Sequence, residues 1–117
     1  MTPSREEPAA RVPAKRSKYR NVRTEVDGIK FASKAEARRY GQLQLLVKAG
    51  EIRDLELQRK YDLPGGVKYV ADFDYIDART GLPITEDVKG VLTPVFKLKA
   101  KQFAAIYHRP IQIVRPT

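Results

Sequence analysis

Four side chains in this sequence have the types and spacing to hydrolyse a phosphodiester. Thr85-Glu86-Asp87-Val88-Lys89-Gly90 reads as an extended segment, and a period of two puts Thr85, Asp87 and Lys89 on one face. Successive groups on that face stand about 6.5–7 Å apart. A carboxylate there offers hard oxygen to Mg²⁺, and an ammonium one step along can orient water or stabilise charge developing on a phosphate. Glu86 faces away with Ile84 and Val88. An acid-x-Lys pattern alone is common by chance and usually marks an exposed, salt-bridged strand, so its weight comes from the acids that join it. Asp72 falls in the middle of Tyr69-Val-Ala-Asp72-Phe-Asp74-Tyr, a segment otherwise built for burial, on the side shared by Val70, Asp74 and Ile76. An aspartate there costs stability unless it is paired or bound to a metal. The third acid is Glu36, which projects within about 40° of Tyr40, Leu43 and Val47 on a helical wheel and so points where the buried stripe points. Glu36 is also the third residue after Ser33, where a capping box would use it locally, and the capping and metal readings stand level.

The elements that must position these groups follow from periodicity and turn chemistry. Asp27-Gly28 supplies the positive-φ pair of a two-residue turn between alternating segments, so Val22–Phe31 is a β-hairpin. Ser33 caps a helix over 34–48, which ends at Gly50. From Leu55 to Leu63 the period is two, and Pro64-Gly65-Gly66 turns the chain into a second strand, Val67–Asp77. A third strand runs from Leu82 to Lys89. Thr93-Pro94 is a cap followed by proline at the first helical position, and Phe96, Ala100, Phe103 and Tyr107 mark the inner face of a second helix over 94–107. Ile111–Val114 is a short fourth core strand. The order is hairpin, then α-β-β-β-α-β.

Composition narrows the chemistry further. The 117 residues contain no Cys and one His, so thiolate nucleophiles, Cys-ligated metals and His-rich metal sites are excluded. What remains for metal chemistry is carboxylate. The net charge of +9 points to a polyanionic partner. Residues 1–20 hold six Lys/Arg against two Glu, with three prolines and no apolar periodicity, and read as a disordered basic arm ahead of a domain over 21–117. No window approaches a membrane-spanning length, and the first 20 residues lack an apolar core segment, so the expectation is no membrane association, no secretory signal and cytoplasmic residence.

Lys18-Tyr19-Arg-Asn21, Val26-Asp-Gly28-Ile-Lys-Phe31-Ala-Ser33-Lys-Ala-Glu36-Ala, Leu55-Glu-Leu-Gln58, Tyr69-Val-Ala-Asp72-Phe, Glu86-Asp-Val-Lys89-Gly90 and Phe96-Lys-Leu-Lys-Ala-Lys101 together resemble a family of small phage-encoded proteins usually placed in the PD-(D/E)xK, or restriction-endonuclease-like, nuclease superfamily. The resemblance spans roughly residues 18–107. It implies a mixed α/β fold with a four-stranded mixed sheet flanked by helices, matching the order read from the residues. By position it makes Asp72 the first motif acid, Asp87 the second, Lys89 the motif lysine and Glu36 the helix acid of many members, Holliday-junction resolvases included. Ala71 stands where the nominal motif has proline, and Arg59 follows Gln58 where proline is expected.

The resulting expectation is a Mg²⁺-dependent DNA endonuclease, with Mn²⁺ as a substitute, whose metal ligands are Glu36, Asp72 and Asp87. The alternative is a DNA-binding or assembly protein that keeps the fold without cleavage. Nothing resembles a base-reading element, so shape or structure selectivity is expected rather than a sequence code. By analogy to small members of the superfamily it resembles, the expected use is on branched DNA in phage recombination or replication, inside the bacterial host cytoplasm, with flap or single-strand nicking as the alternative. A symmetric four-way junction would require two active sites and hence a homodimer. Lys18, Arg20 and Arg23 beside the arm, and Lys97 and Lys101 on one face of the second helix, are the candidate phosphate contacts. For the helix pair, a solvated lysine face is the commoner explanation. Gln58 reads as solvent-facing or as a fourth polar member of the site, and His108 reads as a helix cap.

Overall fold

A computed structural model describes residues 23–116. The arm over residues 1–20, with Lys18 and Arg20, lies outside the described residues. The elements are β1 (Thr24–Val26), β2 (Ile29–Phe31), α1 (Lys34–Lys48), β3 (Ile52–Leu63), β4 (Val67–Asp77), β5 (Pro83–Val88), α2 (Pro94–Tyr107) and β6 (Ile111–Val114). This is a mixed α/β protein, with the hairpin, both helices and the four-strand order read from the sequence.

The hairpin forms its own antiparallel ladder, Thr24 opposite Phe31 and Val26 opposite Ile29. Asp27 and Gly28 both take positive φ, 53° and 78°, the backbone that matches a two-residue turn to the twist of its strands. Among the described residues the hairpin pairs with no other strand, and the division between compact units falls after Lys34: Ala35–Thr117 form a unit of their own. The domain expected over 21–117 takes in the hairpin and this second unit.

In the second unit the sheet order is β3-β4-β5-β6. β3, β4 and β5 are antiparallel neighbours, and β6 returns parallel to β5 through α2. Helix α1 ends with the amides of Gly50 and Glu51 bonded to the carbonyls of Val47 and Leu46, at 3.0 Å each, with Gly50 at φ 76°. That is the Schellman arrangement that glycine permits. Helix α2 is capped by Thr93, whose hydroxyl accepts the amide of Phe96 at 3.1 Å, and it closes on His108 in the left-handed conformation. His108 is thus a cap, as its position before Arg109-Pro110 indicates. Phe96 and Phe103 of α2 pack with Tyr61, Leu63, Tyr69, Ala71 and Ile111, while Ala100 and Tyr107 close the margins. Tyr61 meets Phe103 edge-on, with centroids 4.9 Å apart, a geometry the ring quadrupoles favour.

Strand β3 departs from simple alternation. It begins at Ile52, three residues earlier than the pattern indicates, because its register shifts between Arg53 and Glu56, where Asp54 takes φ 56°. Gln58 takes φ 58°, and the flanking pairs Leu57–Phe73 and Arg59–Ala71 place it opposite Asp72. The alternation of β4 slips at this level. Tyr69 and Ala71 pack toward α2, and Phe73 pairs with Glu86, which binds α1. A left-handed residue reverses which way its neighbours face, and strict period-two reading cannot anticipate it.

Candidate active site

The β4–β5 ladder runs from Ile76–Pro83 to Phe73–Glu86. The next rung would pair Asp72 with Asp87, and there side chains replace carbonyls. The Asp87 Oδ1 accepts the backbone amide of Asp72 at 3.3 Å, and the Asp72 Oδ2 accepts that of Val88 at 2.9 Å. The strands part at this point, with two carboxylates standing in the fork. The Tyr69 hydroxyl donates to the other Asp87 oxygen, Oδ2. Beyond the fork the Lys89 amide bonds the carbonyl of Val114 at 3.0 Å, holding the end of β5 on β6, and the Lys89 ammonium lies 4.8 Å over the Phe96 ring. Asp87 is 2% exposed, whereas Asp72 is half-buried.

Burial pushes the Asp87 carboxyl up to about 7. The Tyr69 hydroxyl opposes that rise, the Asp72 charge adds to it, and the Lys89 ammonium pulls the other way. Burial and the neighbouring Asp87 charge likewise hold the Tyr69 phenol well above its ordinary range. A stability effect follows. With chelator present, the folded chain keeps the Asp87 proton up to about pH 7, whereas the unfolded chain releases it near about pH 4. Folded protein binds more protons in that window, so stability falls as pH rises through it. Urea unfolding from pH 4.5 to 7.5 is expected to show that decline, and Asp87→Asn to flatten it, leaving a smaller slope from Asp74, whose carboxyl is also raised by burial. A wild-type slope retained in Asp87→Asn would refute the assignment.

Two further polar groups lie on either side of the sheet. On one, Glu86 is 1% exposed and receives the guanidinium of Arg39 from α1, Nε to Oε1 at 2.9 Å and Nη2 to Oε2 at 2.7 Å, with the Tyr75 hydroxyl donating to Oε2 as well. This bidentate pair fastens α1, the helix that carries Glu36, to the strand that carries Asp87. On the other side the Asp74 carboxylate accepts the hydroxyls of Tyr61 at 2.8 Å and Thr85 at 2.6 Å, and Arg109 donates Nη2 to both hydroxyls at 3.0 Å.

The structure therefore brings Asp72, Asp87 and Lys89 together. Glu36 lies half-buried in the first turn of α1, and among the described residues no three Asp, Glu or His side chains form a metal-holding group. Gln58 is exposed, and so are Arg23, Lys97 and Lys101. Sequence reasoning missed Arg39, Tyr75 and Arg109, and gave Asp74 no role. The one available signal was Asp74 itself, a second acid two residues from Asp72 in a strand built for burial, which required donors from elsewhere. No helix among the described residues is long and apolar enough to cross a membrane.

The fold and site define a small basic α/β protein with paired carboxylates and a lysine where two antiparallel strands part. Over residues 16–115 the chain matches the family described as Protein of unknown function (DUF1064), and it belongs to that family. No curated protein matches it, and no solved structure does.

Proposed function

We propose that this protein is a Mg²⁺-dependent DNA endonuclease of the PD-(D/E)xK type that acts on branched DNA. The observation that carries the reading is the carboxylate pair at the fork, with Lys89 two residues beyond Asp87, just past the end of β5. The donor set suits a hard divalent cation. Mg²⁺ is characteristically held by one or two carboxylates together with substrate phosphate, and the raised Asp87 carboxyl beside Asp72 is a pair that a positive charge would relieve. Asp72 and Asp87 would hold it, with Glu36 the third carboxylate that the family resemblance nominates. Bound there, the cation supplies Lewis-acid polarisation of the phosphodiester.

The rest is the work of the chain's own side chains. The Tyr69 hydroxyl and the Asp72 amide each hold one oxygen of Asp87, fixing the plane of its carboxylate. Lys89, half-buried against Phe96, offers ammonium protons to the phosphate or to an attacking water and stabilises charge as it develops. Arg23, Lys97 and Lys101 are exposed cations suited to sequence-independent contact with phosphates.

The test is a panel of labelled four-way junction, flap, duplex and single-stranded DNA with Mg²⁺, Mn²⁺ or chelator. Cleavage is expected for the branched substrates with either metal and for none in chelator. Tight, metal-independent binding with no cleavage of any substrate would replace this reading with a non-catalytic DNA-binding role.

A further inference from the structure

The sheet face that carries the carboxylate pair also carries a cavity of about 500 Å³ that the proposed chemistry leaves unused. Asp74 lines it and stands directly opposite Thr85. Thr85 is two residues before Asp87 on β5, so the cavity begins one side-chain repeat, about 6.5–7 Å, from the fork on the same face. Arg109 lines it too. Its Nη2 serves two neutral hydroxyls, it approaches the Asp74 Oδ1 only to 4.0 Å, and its Nε is buried without an acceptor. An ion pair that existed only to stabilise the fold would be expected to close on itself. Leu55, Ile76 and Pro83 supply apolar wall, and Arg59, with 53% of its side chain exposed, stands at the rim. Asp54, at the register shift of β3, lines it as well.

We propose that this cavity receives a nucleobase turned out of the DNA strand whose phosphate lies at Asp72 and Asp87. A base is a flat ring with apolar faces and an edge of mixed donors and acceptors. The exposed carboxylates of Asp54 and Glu56 accept from its amino or imino N–H groups, the guanidinium groups donate to its oxygens and ring nitrogens, and the aliphatic wall covers a ring face. A bare phosphate fits less well, since Asp54, Glu56 and Asp74 outnumber the two arginines in the lining. Turning a base out costs least where it is unpaired or has lost a stacking neighbour, as at a branch point, so the cavity selects a weakly stacked nucleotide beside the cut. This rests on the nuclease reading and supplies a physical reason for the preference for branched DNA.

The experiment places 2-aminopurine, which brightens when unstacked, at each of four nucleotides around the branch point of a junction, and adds the full-length protein in chelator. A severalfold rise at one position is expected, reduced by Arg59→Ala and abolished by Pro83→Trp, which fills the mouth of the cavity. Leu55→Trp, on the opposite wall, serves as the second blocking variant should Pro83→Trp fail to give a native circular-dichroism spectrum. An abasic nucleotide at the responding position is expected to slow cleavage about tenfold. Cleavage without brightening at any position, or brightening unchanged in a folded blocking variant, overturns the base cavity and leaves the nuclease reading standing. Brightening that the blocking variants abolish, without cleavage under any metal condition, supports the cavity and overturns the nuclease reading.

Discussion

Asp72→Asn and Asp87→Asn are each expected to lower single-turnover DNA cleavage by about a thousandfold or more while DNA binding survives or tightens. Metal coordination of a transferring phosphoryl group is worth several kcal/mol of transition-state stabilisation, and about 4 kcal/mol is a thousandfold in rate. Asparagine keeps the shape and one oxygen but loses the charge. Binding holds because the charge removed is one that faced a polyanion. Calorimetric titration with Mg²⁺ is expected to lose its signal in the double variant. Lys89→Met is expected to slow cleavage while leaving that metal signal in place, which separates the two roles. Near-normal cleavage by Asp87→Asn would sink the assignment.

The second large effect is on stability. Arg39→Ala is expected to destabilise the fold by about 3 kcal/mol, because it strands Glu86, 1% exposed, without its charge partner. The figure is set at the low end for a broken buried pair because Arg39 keeps 22% of its side-chain exposure. Urea unfolding at pH 7 measures it. The double replacement Arg39→Met with Glu86→Leu is expected to recover most of the loss, since an apolar pair of similar volume avoids the desolvation that both charges bear. A cost below about 0.5 kcal/mol for Arg39→Ala would show the pair to be solvated and the attachment of α1 to β5 to rest on apolar packing alone.

The parts legible from sequence are those governed by local rules. Asp27-Gly28, Thr93-Pro94 and Gly50 announce their turn and caps, and the stripe from Phe96 to Tyr107 announces which face of α2 is buried. Thr85 and Asp87 could be placed on one face because β5 keeps its period, and Lys89 follows just past its end. The parts that were not legible depend on register and strand order. Arg39 meets Glu86 across 47 residues, and Arg109 reaches Thr85 only because β6 lies parallel beside β5. The left-handed backbone of Gln58 is unavailable to pattern reading for a different reason. Glutamine has no marked preference for that conformation, so only the ladder around it shows that the strand turns there.

Strand β3 has one further consequence, for how the molecule behaves in a crowd. It is an outer strand of the four-stranded sheet and, at twelve residues, its longest, the kind of border on which a second chain could lay down a strand of its own and begin to aggregate. Asp54 and Gln58 interrupt that border, so no run of regular extended backbone within it exceeds five residues, and Arg53, Glu56, Arg59 and Lys60 line it with exposed charge. These kinks thus deny a neighbour the flat, uncharged template from which intermolecular sheets grow.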